Sequence, residues 1–271
     1  MYIVDFEYDG RRLSDYMSMV CIINGTPDTS AISFGTPLTW NTIKVGNRFL
    51  SVTNSYDEAY TATFQIAKFD CSHREDIKYS DAEISRIMKW LRQKEYKKFK
   101  PIFNDESYYN VHFNVVFTDI KPVLIAGDIC GFEVTLTTDA PFGYYDTVVI
   151  SGHKKVQLQN LSDENGYIYP KVSIICGIST NELILSSKLQ NNNTIETIIK
   201  NVAKNGVTED FIFSGETKQL SSSTHSNLYN DFNYVFPKIR VDNYNTLNIF
   251  ETNVDAQITI EYTPIARVGI I

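Results

Sequence analysis

Residues 80–146 decide the fold. They run from SDAEISRIMKWLRQKEYKKF (80–99) through YNVHFNVVF (109–117) and GFEVTLTT (131–138) to DAPFGYYD (139–146). The first piece reads as a helix over about 81–94. Ser80 can cap it, Glu83 stands three residues on as the reciprocal half of a capping box, and Asp81 suits the positive helix end. Ile84, Ile87, Met88 and Leu91 recur at helical spacing and give the helix one dry stripe, with Trp90 off its centre as a packing residue. After the helix the period changes to two. Val111, Phe113, Val115 and Phe117 alternate with His112, Asn114 and Thr118, and Phe132, Val134 and Leu136 alternate with Glu133, Thr135 and Thr137. Strands with one dry and one wet face belong to an antiparallel sheet. Pro141 and Gly143 then make a turn-rich joint among aromatics, where we place a domain boundary, giving 1–145 and 146–271.

Working outward, Tyr2–Tyr8 reads as a strand ending at the Asp9–Gly10 turn, and Met17–Ile23 as a second. Residues 24–60 are weakly patterned. Pro27, Gly35, Pro37 and Gly46 punctuate short apolar pieces such as Thr42–Val45 and Phe49–Val52. Such a stretch is either a loop-rich edge or an arm that completes its packing against another chain. YTATFQIAKF (60–69) alternates again. Beyond residue 146, strands are expected at 148–151, 155–160, 171–176, 182–187, 194–200, 209–213, 217–220, 235–241, 246–250 and 256–263. Short strands at near-regular spacing indicate a sandwich or jelly roll. The fold class is therefore mainly β with one flanking helix.

The chain has 271 residues, 43% hydrophobic and 21% charged, with 17 Tyr and 16 Phe. That is enough for two ordinary domains, each with its own core. A net charge of −7 argues against a protein whose main task is gripping phosphate backbones. Neither half is basic: 15 basic and 20 acidic residues lie up to Asp146, and 10 and 12 after it. Cys21, Cys71, Cys130 and Cys176 are scattered without a CxxC pair, so a disulfide framework is not expected, and Cys21 and Cys130 fit buried apolar settings. The start, MYIVDFEYDGRR, lacks the pattern of a secretory signal, and no apolar run reaches a membrane span. A soluble subunit made in the cytoplasm is expected, without membrane insertion.

No catalytic residues are expected. GxSxG, HExxH, P-loop and GxGxxG motifs are missing from the sequence. His73, His112, His153 and His225 are isolated from one another, and CSHRED (71–76) lacks a second ligand group at zinc spacing, so neither metal nor cofactor is expected. The carboxylates leave a wall-degrading glycosidase as a remote alternative. Arg86, Lys89 and Arg92 fall off the apolar stripe of the helix and read as a solvated face rather than a nucleic-acid site. Among exposed aromatics, Tyr167, Tyr169, Tyr229 and Tyr244 are candidates for stacking on a sugar ring, with Tyr167 and Tyr244 retained as candidate glycan contacts.

The succession FEYDGRRLSDY (6–16), ISRIMKWLRQKEYKKF (84–99), NVVFTDIKPVLIAGDICGFEVTLTTDAPFGY (114–144), YPKVSI (169–174), NYVFPKIRVDNYNTLNIF (233–250) and ITIEYTPIARVG (258–269) resembles the distal tail proteins, or Dit, of siphovirus-type bacteriophages and prophages of Gram-positive hosts. DNYNTL (242–247) departs from that pattern, which more usually carries a glycine-containing turn there. The resemblance implies an N-terminal, tail-tube-like β-sandwich or barrel flanked by a helix and a C-terminal galectin-like sandwich. It implies a homo-hexamer, a structural ring at the virion tail tip. One side would join the tail-tube protein and the other the tail-associated hub or tip protein, with a receptor-binding protein or host-surface glycan as further partners. In that family the segment near residues 30–60 corresponds to an arm or belt linking neighbours, which makes Trp40, Ile43, Val45, Phe49 and Leu50 subunit-interface candidates. The alternative function is a carbohydrate-binding adhesion module using the C-terminal sandwich.

Overall fold

A computed structural model describes residues 3–17, 19–22, 38–56, 59–68, 78–103, 110–163, 166–188, 194–241 and 246–266. The chain forms two compact units that meet in sequence at Tyr144 and Tyr145. The first unit contains β1 (Ile3–Tyr8), β2 (Arg11–Arg12), α1 (Leu13–Met17), β3 (Met19–Ile22), β4 (Leu38–Val45) and β5 (Arg48–Tyr56). Then follow β6 (Thr61–Lys68), α2 (Asp81–Leu91), β7 (Lys97–Phe103), β8 (Phe113–Ile125), β9 (Asp128–Thr138) and β10 (Gly143–Tyr144). Seven of these strands make one sheet in the order β2-β1-β7-β8-β9-β6-β3, and every neighbouring pair is antiparallel. The sheet bends so far that β1 and β3, remote in its hydrogen-bonded order, lie beside each other.

The inward face of that bend is aromatic. Phe6, Tyr8, Phe64, Phe99, Phe117 and Phe132 are all buried. Phe6 touches four rings at centroid separations of 5.1 to 6.1 Å, a range favourable for edge and offset contacts. Helix α2 closes the cluster. Its Ile87, Trp90 and Leu91 are buried, the Trp90 ring stacks on Phe6 at 5.8 Å, and its Nε1–H donates to the Tyr8 carbonyl at 3.1 Å.

The helix begins as its sequence dictates. The Ser80 Oγ accepts from the Glu83 N–H and the Glu83 carboxylate accepts from the Ser80 N–H, completing the capping box. A salt bridge from Lys68 at 2.8 Å, with further hydrogen bonds from Ser80, lowers the Glu83 pKa to about 2. The helix ends at Leu91, three residues short of the expected 94. The Gln93 side-chain amide donates to the Lys89 and Trp90 carbonyls, satisfying the last turn from outside and making further helix unnecessary.

Other local departures have similar causes. Strand signal around Met17 is replaced by the helical turn α1, whose Leu13 and Met17 are buried, and β3 starts only at Met19. The Asp9–Gly10 turn has both φ angles positive, 51° and 72°, as a two-residue hairpin turn requires. Strands β8 and β9 run well past the alternating motifs, to a tip at Ala126 and Gly127.

The second unit comprises β11 (Val148–His153), β12 (Lys155–Gln159), β13 (Tyr167–Ile168), β14 (Lys171–Cys176), β15 (Thr180–Lys188) and β16 (Thr194–Val202). It continues with β17 (Glu209–Ser214), β18 (Gln219–Ser221), the single turn α3 (Leu228–Asp231), β19 (Ile239–Arg240), β20 (Leu247–Thr252) and β21 (Gln257–Tyr262). A five-stranded sheet, β11-β21-β14-β17-β18, faces a four-stranded one, β12-β20-β15-β16. They share one core, to which Val172, Phe211 and Ile258 come from the first sheet and Leu158, Leu185 and Phe250 from the second. This is a sandwich. The stretch expected as a strand at 235–241 is strand only at Ile239–Arg240, because Pro237 offers no N–H to a ladder. Cys176 is buried as a free thiol, whereas Cys130, expected in the core, is partly exposed; Cys21's side chain and Cys71 lie outside the description.

Trp90→Ala removes the ring that joins helix to sheet and leaves a cavity in the aromatic cluster. It is expected to cost about 3–5 kcal/mol in a urea unfolding titration of the full chain, and a loss below 1 kcal/mol would show that α2 is not held in this way.

Candidate functional site

Strands β4 and β5 form a two-stranded ribbon of their own. The register pairs Ile43 with Leu50, Lys44 with Phe49 and Val45 with Arg48 across the Gly46–Asn47 turn. Side chains alternate along a strand, so Ile43, Val45 and Leu50 share one face while Phe49 lies on the other with Lys44. All four apolar residues are exposed: Ile43 56%, Val45 54%, Phe49 69% and Leu50 52%. The structure therefore brings four of the five interface candidates together. The fifth, Trp40, sits on β4 opposite Asn54, with its side chain outside the description. The segment is more regular than the sequence suggested: it pairs as a ribbon along its length, and a bulge between Asn41 and Thr42 breaks the alternation that would have signalled it.

A second apolar projection was missed by the sequence reading. Leu124 and Ile125, at the end of β8, are exposed beside the Ala126–Gly127 tip. The signal was the VLI run directly before Ala-Gly-Asp, an apolar run that ends in a turn instead of a core.

Of the candidate glycan contacts, Tyr167 lies within the described residues and Tyr244 outside them. Tyr167 is exposed, but the Lys238 Nζ lies 3.9 Å over its ring centroid, so one stacking face is taken. Tyr169 carries Lys218 in the same way, and burial, helped by repulsion from Lys238, lowers the Lys218 pKa to about 8. A polar groove of about 420 Å³ on the four-stranded sheet, lined by Lys154, Ser186, Lys188, Glu196, Glu251 and Asn253, has no aromatic side chain. The Lys188–Glu251 ion pair at 2.6 Å crosses it.

Among the described residues no group of three His, Cys, Asp or Glu side chains is disposed to hold a metal ion, and no helix is long and apolar enough to cross a membrane. CSHRED (71–76) lies outside those residues. The closest approach to a charge constellation is a clamp around His225. Its Nδ1 lies 2.9 Å from the Glu209 carboxylate and its Nε2 3.1 Å from that of Asp231, with the ring 3% exposed. Burial opposes the charged ring, but the hydrogen bonds and charges of Glu209 and Asp231 outweigh it and raise the pKa. Both ring nitrogens face acceptors, so the protonated ring is the form that satisfies the site. The clamp fastens the 222–232 connection to β17, helped by Asp210, which accepts from the Ser223 N–H and Oγ–H. It is a structural fastening with no open coordination position.

A family model described as a phage tail protein N-terminal domain matches residues 1–140. A second, described as a phage tail C-terminal domain, matches residues 142–262. The chain belongs to the phage tail proteins. No curated protein matches it. Among solved structures it is similar to the Dit protein of phage SPP1, described as a paradigm of the hub adsorption apparatus in Gram-positive-infecting phages. That match has a TM-score of 0.60 at 10% identity, over 97% of this chain and 99% of the other. Structures of the phage P2 baseplate in its activated conformation, with Ca and with Sr, match at TM-scores of 0.47 and 0.49, each at 10% identity over 96% of this chain and 98% of theirs; these two are too distant to argue from. The phage tail protein thus has a Dit-like fold, as its succession of motifs implied.

The His225 clamp sets a pH signature for the tail protein. A histidine pKa raised on folding contributes stability that is full below the ordinary value of 6.5 and is lost as pH rises through the raised value. The melting-temperature gap between wild type and His225→Gln is therefore expected to be widest below about pH 6.5 and to narrow at alkaline pH. A gap that widens with pH would show that the ring is held neutral.

Proposed function

We propose that this phage tail protein is the hub subunit of the tail tip, a structural protein without a catalytic step. In this reading six copies close into a ring that joins the tail tube on one side and the tail-associated, receptor-facing protein on the other. Residues 1–145 form the ring and 146–271 a peripheral, galectin-like sandwich. The Dit-like fold over nearly the whole chain supports the hub role. The observation that carries the assembly is the β4–β5 ribbon, with Ile43, Val45, Phe49 and Leu50 exposed on its two faces.

An isolated two-stranded ribbon is marginal in water, and exposed large apolar side chains on it become favourable only when another surface covers them. A second copy of the chain is the simplest such surface. The same ribbon-to-neighbour contact repeated by a fixed rotation closes into a cyclic assembly. The ammonium groups over Tyr167 and Tyr169 make these rings poor sugar platforms, which favours architecture over adhesion for the second unit.

The test is the mass in solution. Light scattering on the wild type is expected to give a multiple of its 31.0 kDa chain mass, and the Ile43→Asp/Leu50→Asp variant a monomer with an unchanged circular-dichroism melt. A wild type that stays monomeric at high concentration in the presence of tail-tube protein, or a variant that assembles as well as wild type, would contradict the proposal.

A further inference from the structure

The basic side of α2 is more than a solvated face, because the fold brings a third cation and an aromatic floor against it. Asp9, Arg11, Tyr16, Arg86, Lys89 and Trp90 line a groove of about 470 Å³. The Tyr16 ring stands against Trp90 at 5.3 Å in an edge contact. The Arg11 guanidinium lies 4.8 Å from the Tyr16 centroid and donates from Nη1 to its hydroxyl at 3.0 Å. The Arg86 guanidinium lies 5.7 Å from the same centroid.

Two planar cations are therefore held by one ring, with Lys89 nearby and Asp9 as the single acid in the lining. None of the three cations forms an ion pair among the described residues. This is not the rule in the unit: Arg12 pairs with Asp5 at 2.6 Å and Lys68 with Glu83 at 2.8 Å. Contact with Tyr16 restricts side chains that would otherwise fan into solvent, so much of the ordering cost of binding is met before a ligand arrives. Three like charges gathered around a single acid repel, and an incoming anion relieves that repulsion.

We propose that this groove docks a carboxylate-rich segment of a partner protein. Guanidinium forks match carboxylates in a bidentate manner. The chain as a whole carries −7, so an acidic partner is repelled elsewhere and attracted here, which fixes one orientation of approach. Nucleic acid fits less well, because it is held by a track of successive phosphate contacts. Here the groove lining holds three cations, and farther along the chain Arg92 lies near the Asp119 charge and Lys97 is paired with Glu95 at 3.2 Å. The inference stands apart from ring formation, since it uses none of the β4–β5 residues.

The test is fluorescence anisotropy on the full chain with a labelled oligoglutamate peptide, beside a labelled oligothymidylate of equal charge. Oligoglutamate is expected to bind in a salt-sensitive way. It should weaken about tenfold or more in Arg11→Gln/Arg86→Gln, less in Arg86→Lys, and not at all in Lys188→Gln, which lies in the other unit. Solution mass and circular dichroism should match the wild type throughout. Should the double variant misfold, Lys89→Gln, a change at an exposed position, must still weaken the peptide. No peptide binding, binding indifferent to these changes, or tighter groove-dependent binding of oligothymidylate would overturn the proposal.

Discussion

A two-stranded ribbon has two faces, and each large apolar side chain left open on them calls for a covering surface. In this protein β4 and β5 place Ile43, Val45 and Leu50 on one face and Phe49 on the other, all open to solvent. A single chain with this ribbon leaves the apolar area of these four side chains uncovered, which invites association. In the proposed hub, that cost in the free subunit is recovered at a neighbour's surface. The unit that carries the ribbon has a core of its own.

That unit is self-sufficient. The bent seven-stranded sheet encloses rings from β1, β6, β7, β8 and β9, and α2 seals them with Trp90, which both stacks on Phe6 and donates to the Tyr8 carbonyl. The Tyr8 hydroxyl is buried without a hydrogen-bond partner among the described residues, and its pKa is pushed up to about 12, by burial first and by the nearby Asp9 second. The packing at this point keeps the ring and tolerates an unsatisfied polar atom. The second unit is a closed sandwich with its own core and its own fastening at His225, consistent with an independent module in a larger assembly.

Much of this was legible in the chain. The capping box at Ser80 and Glu83, the alternation at Val115–Phe117 and Phe132–Leu136, and most strands of the sandwich follow from local patterns, because those side chains meet one core. The ribbon was harder. Its exposed residues meet no core, so Thr42–Val45 and Phe49–Val52 looked like loop-rich fragments, and the four candidates the resemblance to Dit singled out there, Ile43, Val45, Phe49 and Leu50, are exposed on it. The groove at Tyr16 was not legible, since Arg11 and Arg86 are distant in sequence and only the Asp9–Gly10 turn and α1 bring them to one ring. Nor was the lysine over Tyr167 legible, since Lys238 is far from it in sequence.

The central claim, that the ribbon is completed by a neighbouring copy in a closed ring, is tested most directly by cryo-electron microscopy of the assembled protein at side-chain resolution. The account predicts sixfold rings in which Ile43, Val45 and Leu50 of each subunit are buried against the next. Rings of another symmetry, or sixfold rings in which both faces of the ribbon stay open to solvent, would contradict it.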